Sequence, residues 1–389
     1  MTTLILHRSG PDSWVVTSDP NQLTMPEMPA MLSLRGGLFA ADARRPDLVP
    51  WADIDNVEAA ADWILVFYGS EVLAALETEA AVGDHIAVEI TDPPTNHPLA
   101  RLALARWLHR WWPSAHAGVA RLDQRLLRAE IGALTWAMQD WLDEADGPEA
   151  WLGTHEWAAV ETAVAQAPGF ASGAELALEP TASGGTAGRR TSFTASLHLL
   201  IDAADDLAPD SPVATADLPW PEELIEPALV PSEQDDYALT AGGTTTAAPD
   251  WWLVPPRSVG GGEDALRWTE DAGDLTVEVT VGDEPADGLR LRAYAEGDDF
   301  PVAAGPLVRE GAVYRGRARS TAVEPIDLVE VYHPDQVRPP VPSGMAESWR
   351  RGVRGIVNLR THAAATGQAL GGIWPFAAEI LATTPLTPQ

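Results

Sequence analysis

The sequence predicts a mixed α+β protein with more than one domain, and three observations lead to this prediction. The chain has 389 residues, which is too long for one ordinary hydrophobic core. Its first half mixes apolar runs of strand length with patterns of helical period, whereas patterns with a period of two dominate after residue 250. An acidic stretch rich in Pro, Ala and Thr separates these two parts of the chain.

These observations divide the chain into four predicted segments. We expect an N-terminal α/β domain with several helices over residues 1–203, a linker over 204–250, a small β-sandwich domain over 251–340 and a C-terminal helical segment over 341–389. The linker is predicted because its composition cannot bury enough apolar area to offset the entropy lost on ordering.

The N-terminal domain begins with a predicted hairpin over residues 4–17, because the turn signal SGPDS separates two β-rich runs. The run WILVFY, residues 63–68, predicts a buried strand, and Ser70 is the expected N-cap of the helix that follows it. HIAVEITD, residues 85–92, predicts the next strand, and a helix follows over Leu99–Trp112. This succession of strand and helix is typical of an α/β domain.

The rest of the domain is predicted to contain two longer helices and a returning strand. The helices are expected over residues 119–144 and 149–166, the first from apolar residues at spacings of three and four. SFTASLHLLID, residues 192–202, predicts a strand, since Phe193, Leu197 and other apolar residues alternate with polar ones.

In the C-terminal half, five short alternating runs between Gly, Asp and Pro turns predict the β-sandwich. A last helix is expected to begin near Met345 and to end at Gly371 and Gly372, a plausible C-cap.

The composition excludes several classes of function. The formal net charge of -32 at pH 7 repels phosphate backbones and anionic lipid surfaces, so we expect neither a nucleic acid nor a membrane as partner. The chain contains no Cys, which excludes disulfides and thiolate metal sites. It also contains no Lys, which excludes the phosphate-binding Lys of Walker-type loops and every Schiff-base mechanism. We therefore predict no cofactor.

Three explanations of the missing Lys stay open: a GC-rich genome, adaptation to high internal salt, and selection beside machinery that modifies amines. The N-terminus lacks the pattern of a signal peptide, and the longest apolar runs are too short to cross a bilayer. We therefore expect a cytoplasmic protein.

The stretch ARWLHRWWPSAH, residues 105–116, concentrates aromatic and basic side chains in an acidic chain. On a helix, Trp107, Trp111 and the neighbouring Leu residues share one broad face, which is the pattern of an amphipathic helix packed on a core. Arg106 and Arg110 lie at i, i+4 on the opposite face, together with His109.

Two interpretations of this arginine face stay open. Two neighbouring cations need carboxylates nearby, which the acidic fold itself or the acidic surface of a partner protein could supply. The last helix repeats the arrangement with Arg350, Arg351, Arg354 and Arg360. The candidate partner-binding site consists of Arg106, His109, Arg110, Arg350, Arg351 and Arg354.

The catalytic candidates are weaker. Ser70 lacks both glycines of the G-x-S-x-G pattern, and an N-cap role explains it. Asp92 and Asp202 end predicted strands and would hold Mg²⁺ if those strands were neighbours. The leading hypothesis is therefore a non-catalytic adaptor or scaffold that mediates protein–protein interaction in a cytoplasmic assembly. The alternative is a Mg-dependent hydrolase that uses these two carboxylates.

Overall fold

A computed structural model describes most of the chain. The described residues are 2–18, 23–78, 80–91, 97–113, 120–142, 147–166, 186–209, 211–214, 244–271, 273–295, 300–321, 325–336 and 345–383. The chain forms two compact units. Unit 1 comprises Met1–His109, Leu122–Leu229 and Gly355–Gln389, and unit 2 comprises Arg110–Arg121 and Val230–Arg354. Both helices and antiparallel sheets are present, so the mixed α+β class is confirmed.

Unit 1 contains a six-stranded sheet in the order β3-β4-β5-β2-β1-β6, in which every described pair is antiparallel. The strands are β1 Thr2–Arg8, β2 Trp14–Thr17, β3 Pro29–Leu34, β4 Gly37–Asp42, β5 Trp51–Ile54 and β6 His85–Ile90. The predicted hairpin is confirmed as β1 and β2, and the strand predicted from residue 85 is β6. Leu4 and Leu6 are fully buried on one face of β1, whereas Ile5 and His7 lie on its other face.

The helices of unit 1 supply the rest of its core. They are α1 Val57–Phe67, α2 Ser70–Leu76, α4 Gln124–Ala137, α5 Thr154–Gln166, α6 Thr186–Leu207 and α8 Ala377–Ala382. The boundary between the units falls within two further helices, α3 Pro98–Trp111 and α7 Met345–Thr366. The sequence predicts one helix over residues 149–166. The structure instead has a short 3₁₀ turn at Pro148–Ala150, followed by α5.

The strand predicted at residues 63–68 is wrong, because this segment belongs to α1. Ala60, Trp63, Ile64 and Phe67 are buried, which is a helical spacing, while the intervening Leu65 and Val66 are exposed. A short apolar run fits a buried strand and a helix equally well by pattern alone. The Asn56 side chain caps α1 by accepting a hydrogen bond from the Ala59 amide at 3.0 Å.

Two further local predictions are corrected. Ser70 is the first residue of α2, and the N-cap is Gly69, whose φ of 96° is in the left-handed region that glycine tolerates. The last long helix, α7, ends at Thr366 and is followed by Gly367 with φ 65°, so it stops before Gly371.

The strand predicted at residues 192–202 is also wrong, since these residues lie within α6. Phe193, Leu197, Leu200 and Ala204 are buried at spacings of three and four, whereas Ala195, which alternation would bury, is exposed. The apolar residues of this segment fit both the two-residue period of a strand and the 3.6-residue period of a helix. Tertiary packing selects the helix.

Unit 2 contains two antiparallel sheets, as the alternating runs predict. The larger has the order β12-β13-β9-β8-β7, and the smaller has the order β11-β10-β14. The strands are β7 Thr245–Ala247, β8 Leu266–Asp271, β9 Asp274–Thr280, β10 Arg290–Ala295, β11 Ala303–Pro306, β12 Val308–Glu310, β13 Val313–Arg319 and β14 Ile326–Tyr332. β7 lies at the end of the predicted linker, of which residues 215–243 are outside the described part.

One buried cluster joins the two sheets of unit 2. Val277 of β9, Leu291 of β10 and Val331 of β14 are all fully buried in it. At Gly316 of β13, an added Cβ would lie 2.9 Å from the backbone carbonyl oxygen of Pro306 in β11, so the close approach of the sheets requires glycine there. The alternating pattern therefore buries one face of each sheet in a common core.

Candidate functional site

The tryptophan face of α3 is buried, as predicted. Trp107 is 3% exposed and Trp111 is 7% exposed, and Leu104 and Leu108 beside them are also buried. The core interpretation of these tryptophans is therefore confirmed. Residues 114–116, the end of the stretch that begins at Ala105, lie outside the described part of the chain.

Arg106 and His109, on the other face of α3, contact neutral groups of unit 1. Arg106 donates from Nη2 to the Thr135 hydroxyl at 3.3 Å, and its guanidinium lies 5.5 Å from the Trp151 ring centroid. His109 Nδ1 is 3.2 Å from Oε1 of Gln124, and its ring meets Trp151 edge-on. Both side chains thus have partners in their own unit.

Arg110 contacts acceptors of unit 2. Its guanidinium lies 3.4–3.5 Å from the carbonyl oxygens of Trp251 and Val254 and from Oε1 of Gln336. Burial lowers the pKa of Arg110, because a partly desolvated guanidinium loses hydration of its charged form. These acceptors are neutral, so the charge is solvated by dipoles.

The three arginines at the start of α7 differ in exposure. Arg354 forms an ion pair with Glu263 at 2.6 Å and donates to the Gly261 carbonyl oxygen at 3.2 Å. Arg350 donates to the Pro249 carbonyl oxygen at 3.3 Å, and Arg351 is exposed. Of the predicted partner-binding arginines, Arg354 thus forms an ion pair with a carboxylate of its own unit. Binding of an acidic partner by these residues stays a prediction.

Three tryptophans of unit 2 form an aromatic cluster beside Arg110. The ring centroids of Trp111, Trp252 and Trp349 are 4.5–5.2 Å apart in pairs. An adjoining cavity, lined by Arg110, Trp111 and residues around 251–261, has a volume of only about 20 Å³. A cavity of this size accommodates about one water molecule, so it offers no room for a ligand beside the cluster.

A buried group of charges in unit 1 joins four helices. Arg360 of α7 donates to both carboxylate oxygens of Glu379 of α8, at 2.6 and 2.5 Å, and these side chains are 1% and 0% exposed. Glu130 of α4 accepts hydrogen bonds from the amides of Ala377 and Ala378 at 2.9 and 3.2 Å.

Arg101 of α3 completes this buried charge group. It donates to the Trp374 carbonyl oxygen at 2.9 Å, and its guanidinium lies 4.6 Å from the Phe376 ring centroid. Burial lowers the pKa of Arg101 to about 10 and raises that of Glu130 to about 7. The hydrogen bonds from the Ala377 and Ala378 amides and the charge of Arg101 lower the pKa of Glu130, but the effect of burial is larger. Because these groups are buried and engaged with α8, we assign them a structural role.

The cleft of unit 1 is an open concave surface between the β1–β2 turn and the first two helices. It has a volume of about 500 Å³, and its lining includes Arg8, Asp12, Trp14, Asp55, Leu76 and Glu77. Trp14 and Leu76 are buried and provide an apolar floor, while the three carboxylates are exposed. A volume of this size can accept a side chain or a small ligand.

The charge balance of the cleft is negative. The Arg8 guanidinium lies 5.4 Å from the Trp14 ring centroid and donates to carbonyl oxygens of Ala80, Gly10 and Pro11. In the described part of the chain, the carboxylates of Asp12 and Asp55 form no ion pair, and neither does that of Glu77. The cleft therefore presents three carboxylates that form no ion pair, against the single guanidinium of Arg8.

The catalytic candidates do not come together. Asp202 lies exposed within α6 and not at the end of a strand, while Asp92 is outside the described residues. The Ser70 hydroxyl is exposed and donates to Oε2 of its neighbour Glu71 at 3.1 Å. Within the described ranges, no group of three or more His, Asp or Glu side chains is arranged to hold a metal ion.

Sequence reasoning missed both the cleft and the buried charge group. The cleft combines residues 8–14, 55–57 and 76–78, which are brought together by sheet pairing and helix packing. The turn signal SGPDS was the one local sign of an exposed loop there. Arg360 and Glu379 carry no pattern that distinguishes a buried pair from a solvated one.

Comparison with protein-family models, with curated proteins and with solved structures finds no significant match for this chain in any of the three. Among the described helices, none combines the length and apolar character needed to cross a bilayer. The fold and the site define a mixed α+β protein with an acidic cleft.

Proposed function

We propose that this protein is a non-catalytic cytoplasmic adaptor or scaffold that binds a positively charged segment of another protein in the cleft of unit 1. The observation that carries the proposal is the combination in one cleft of about 500 Å³ of an apolar floor with three exposed carboxylates that form no ion pair and outnumber the one guanidinium of Arg8. Four of the predicted partner-binding arginines contact acceptors of their own units, namely Arg106, Arg110, Arg350 and Arg354, so the proposal rests on the cleft.

The chemistry of the cleft suits the side chain of Lys or Arg. The aliphatic stem of such a side chain can lie against Trp14, Val57 and Leu76, and its charged end can reach the carboxylates at the rim. The net charge of -32 adds long-range attraction for a basic partner and speeds association. The two sheets of unit 2, with their common core, support the small β-sandwich as a second module of the adaptor.

No observation favours the Mg-dependent hydrolase. It requires Asp92 and Asp202 at the ends of neighbouring strands, and Asp202 lies within helix α6.

The test measures binding of a short peptide with alternating Lys and Ala by fluorescence anisotropy, with the lysine-acetylated peptide as the charge control. The variant Asp12→Asn/Asp55→Asn/Glu77→Gln should bind the basic peptide at least about tenfold more weakly than the natural protein, a loss of about 1.4 kcal/mol. Acetylation should weaken binding similarly, because it removes the charges that the cleft recognises.

A matched variant separates recognition by the cleft from general attraction to an acidic protein. Asp140→Asn/Asp205→Asn/Asp206→Asn removes the same number of exposed charges from unit 1 at sites outside the cleft. This variant should bind the peptide within about twofold of the natural protein. Equal weakening by both triple variants, or no binding by the natural protein, would overturn the proposal.

A further inference from the structure

Two histidines lie side by side on neighbouring strands at one edge of the unit 1 sheet. His7 of β1 and His85 of β6 are direct partners in the antiparallel register, and β6 is the last strand of the sheet. Their ring centroids are 4.5 Å apart, and the ring planes differ by 26°. His85 is exposed and His7 is half-buried, so solvent reaches the pair from the side of the edge strand.

The hydrogen bonding of His7 is incomplete. Its Nδ1 is buried and has no hydrogen-bond partner in the described part of the chain. Buried polar atoms nearly always have such a partner, and an exception needs an explanation. A neutral imidazole nitrogen is a common metal ligand. Two nitrogens that each lie about 2.1 Å from the same ion are separated by at most about 4 Å. Two imidazoles in near-parallel contact can meet this requirement with a rotation of one ring.

The neighbouring charges permit a cation at this position. Arg8, the adjacent cation, follows His7 in the strand, and successive residues of a strand face opposite ways. Its guanidinium is held by the carbonyl oxygens of Gly10 and Ala80 and by the Trp14 ring. The strongly acidic chain also raises the local concentration of cations.

We propose that His7 and His85 together bind one divalent first-row transition-metal ion, with water completing its coordination. Imidazole ligands suit Cu²⁺, Ni²⁺ and Zn²⁺, whereas Mg²⁺ and Ca²⁺ prefer oxygen. With only two protein ligands, the coordination sphere of the ion stays open to water. Cu²⁺ should bind more tightly than either Ni²⁺ or Zn²⁺. This inference is independent of peptide binding in the cleft.

The experiment titrates the untagged full chain with NiCl₂ and CuCl₂ by calorimetry in a buffer that does not bind metals. We expect one ion per chain and no comparable binding of Mg²⁺. His85→Phe keeps an aromatic ring on β6 and removes one ligand, so it should lower the Ni²⁺ affinity at least about tenfold. His7→Phe should act in the same way. His362→Ala, at an exposed position of α7, should leave the affinity within about twofold.

Thermal unfolding separates metal binding from an effect on folding. Ni²⁺ should raise the melting temperature of the natural protein and of His362→Ala, since a ligand of the native state stabilises it, and should leave that of His85→Phe unchanged. If His85→Phe retains the Ni²⁺ affinity of the natural protein, or if the natural protein binds no Ni²⁺ or Cu²⁺, the pair is an aromatic contact between strands and the proposal is wrong.

Discussion

In the helices of unit 1 the side chain of Arg360 is 1% exposed and holds a fully buried carboxylate, whereas on the sheets of unit 2 the side chain of Arg292 stays 32% exposed beside Glu330. Both pairs are short, at 2.5 and 2.7 Å, so distance does not distinguish them. Burial does, because a charge in the core has no access to water when its partner is removed. The same residue type therefore carries different energetic weight in the two units.

The largest effect is expected at the buried pair. Arg360→Met should lower the free energy of unfolding by about 3–5 kcal/mol, because the buried Glu379 carboxylate loses the guanidinium that hydrogen-bonds both of its oxygens. Urea unfolding followed by circular dichroism measures the loss. The double variant Arg360→Met/Glu379→Gln removes both charges and keeps an acceptor for the Phe376 amide. It should recover much of the free energy of unfolding that Arg360→Met loses. A double variant that loses the sum of the two single effects would contradict this explanation.

An intermediate effect is expected at Glu130, and it depends on pH. Its pKa is about 7 in the folded protein against an ordinary value of 4.5, so the folded state binds more protons between these values. This contribution to stability is present below about pH 4.5 and is lost as the pH rises towards 7. From pH 5 to 8 the natural protein should lose up to about 3 kcal/mol of stability relative to Glu130→Gln, which stays neutral.

Unfolding curves of both proteins at a series of pH values test this prediction. Glu130→Gln leaves the other titrating groups in place, so the difference between the two proteins isolates Glu130. Parallel pH profiles would show that Glu130 is ionised in the folded state throughout the range.

The smallest effect is expected on the sheets. Arg292→Met repeats the substitution made at Arg360, at a pair that solvent still reaches, and should cost about 1 kcal/mol or less. The Arg292 guanidinium lies 4.9 Å from the Tyr332 ring centroid, a contact that the variant also loses. Urea unfolding under the conditions used for Arg360→Met gives the comparison directly. Losses of equal size at the two positions would mean that burial does not set the energetic weight of these arginines.

Elements with one clear local pattern could be predicted from the sequence alone. The hairpin of β1 and β2 follows from a turn signal between two β-rich runs, and the strands of unit 2 follow from alternation between turn residues. The buried face of α3 follows from apolar residues at helical spacing. In each case the residues that decide the structure are close together in the chain.

Segments that satisfy two patterns at once were decided by tertiary packing. The run at residues 63–68 and the alternation at 192–202 both fit strands, yet α1 and α6 bury these residues at helical spacing. The sequence shows that these segments contain buried apolar residues, but it does not show which of their faces packs against the rest of the unit.

The sequence by itself determined the absence of Lys and Cys, the acidic charge, the mixed α+β class and the amphipathic faces, since these depend on composition and on neighbours along the chain. Only the tertiary structure decided which distant side chains meet. Glu130 reaches the amide of Ala377 across 247 positions, and His7 meets His85 through strand pairing. The physical reason is that burial and pairing of charges depend on distance in space, and a local pattern contains no information about the residue that will lie opposite.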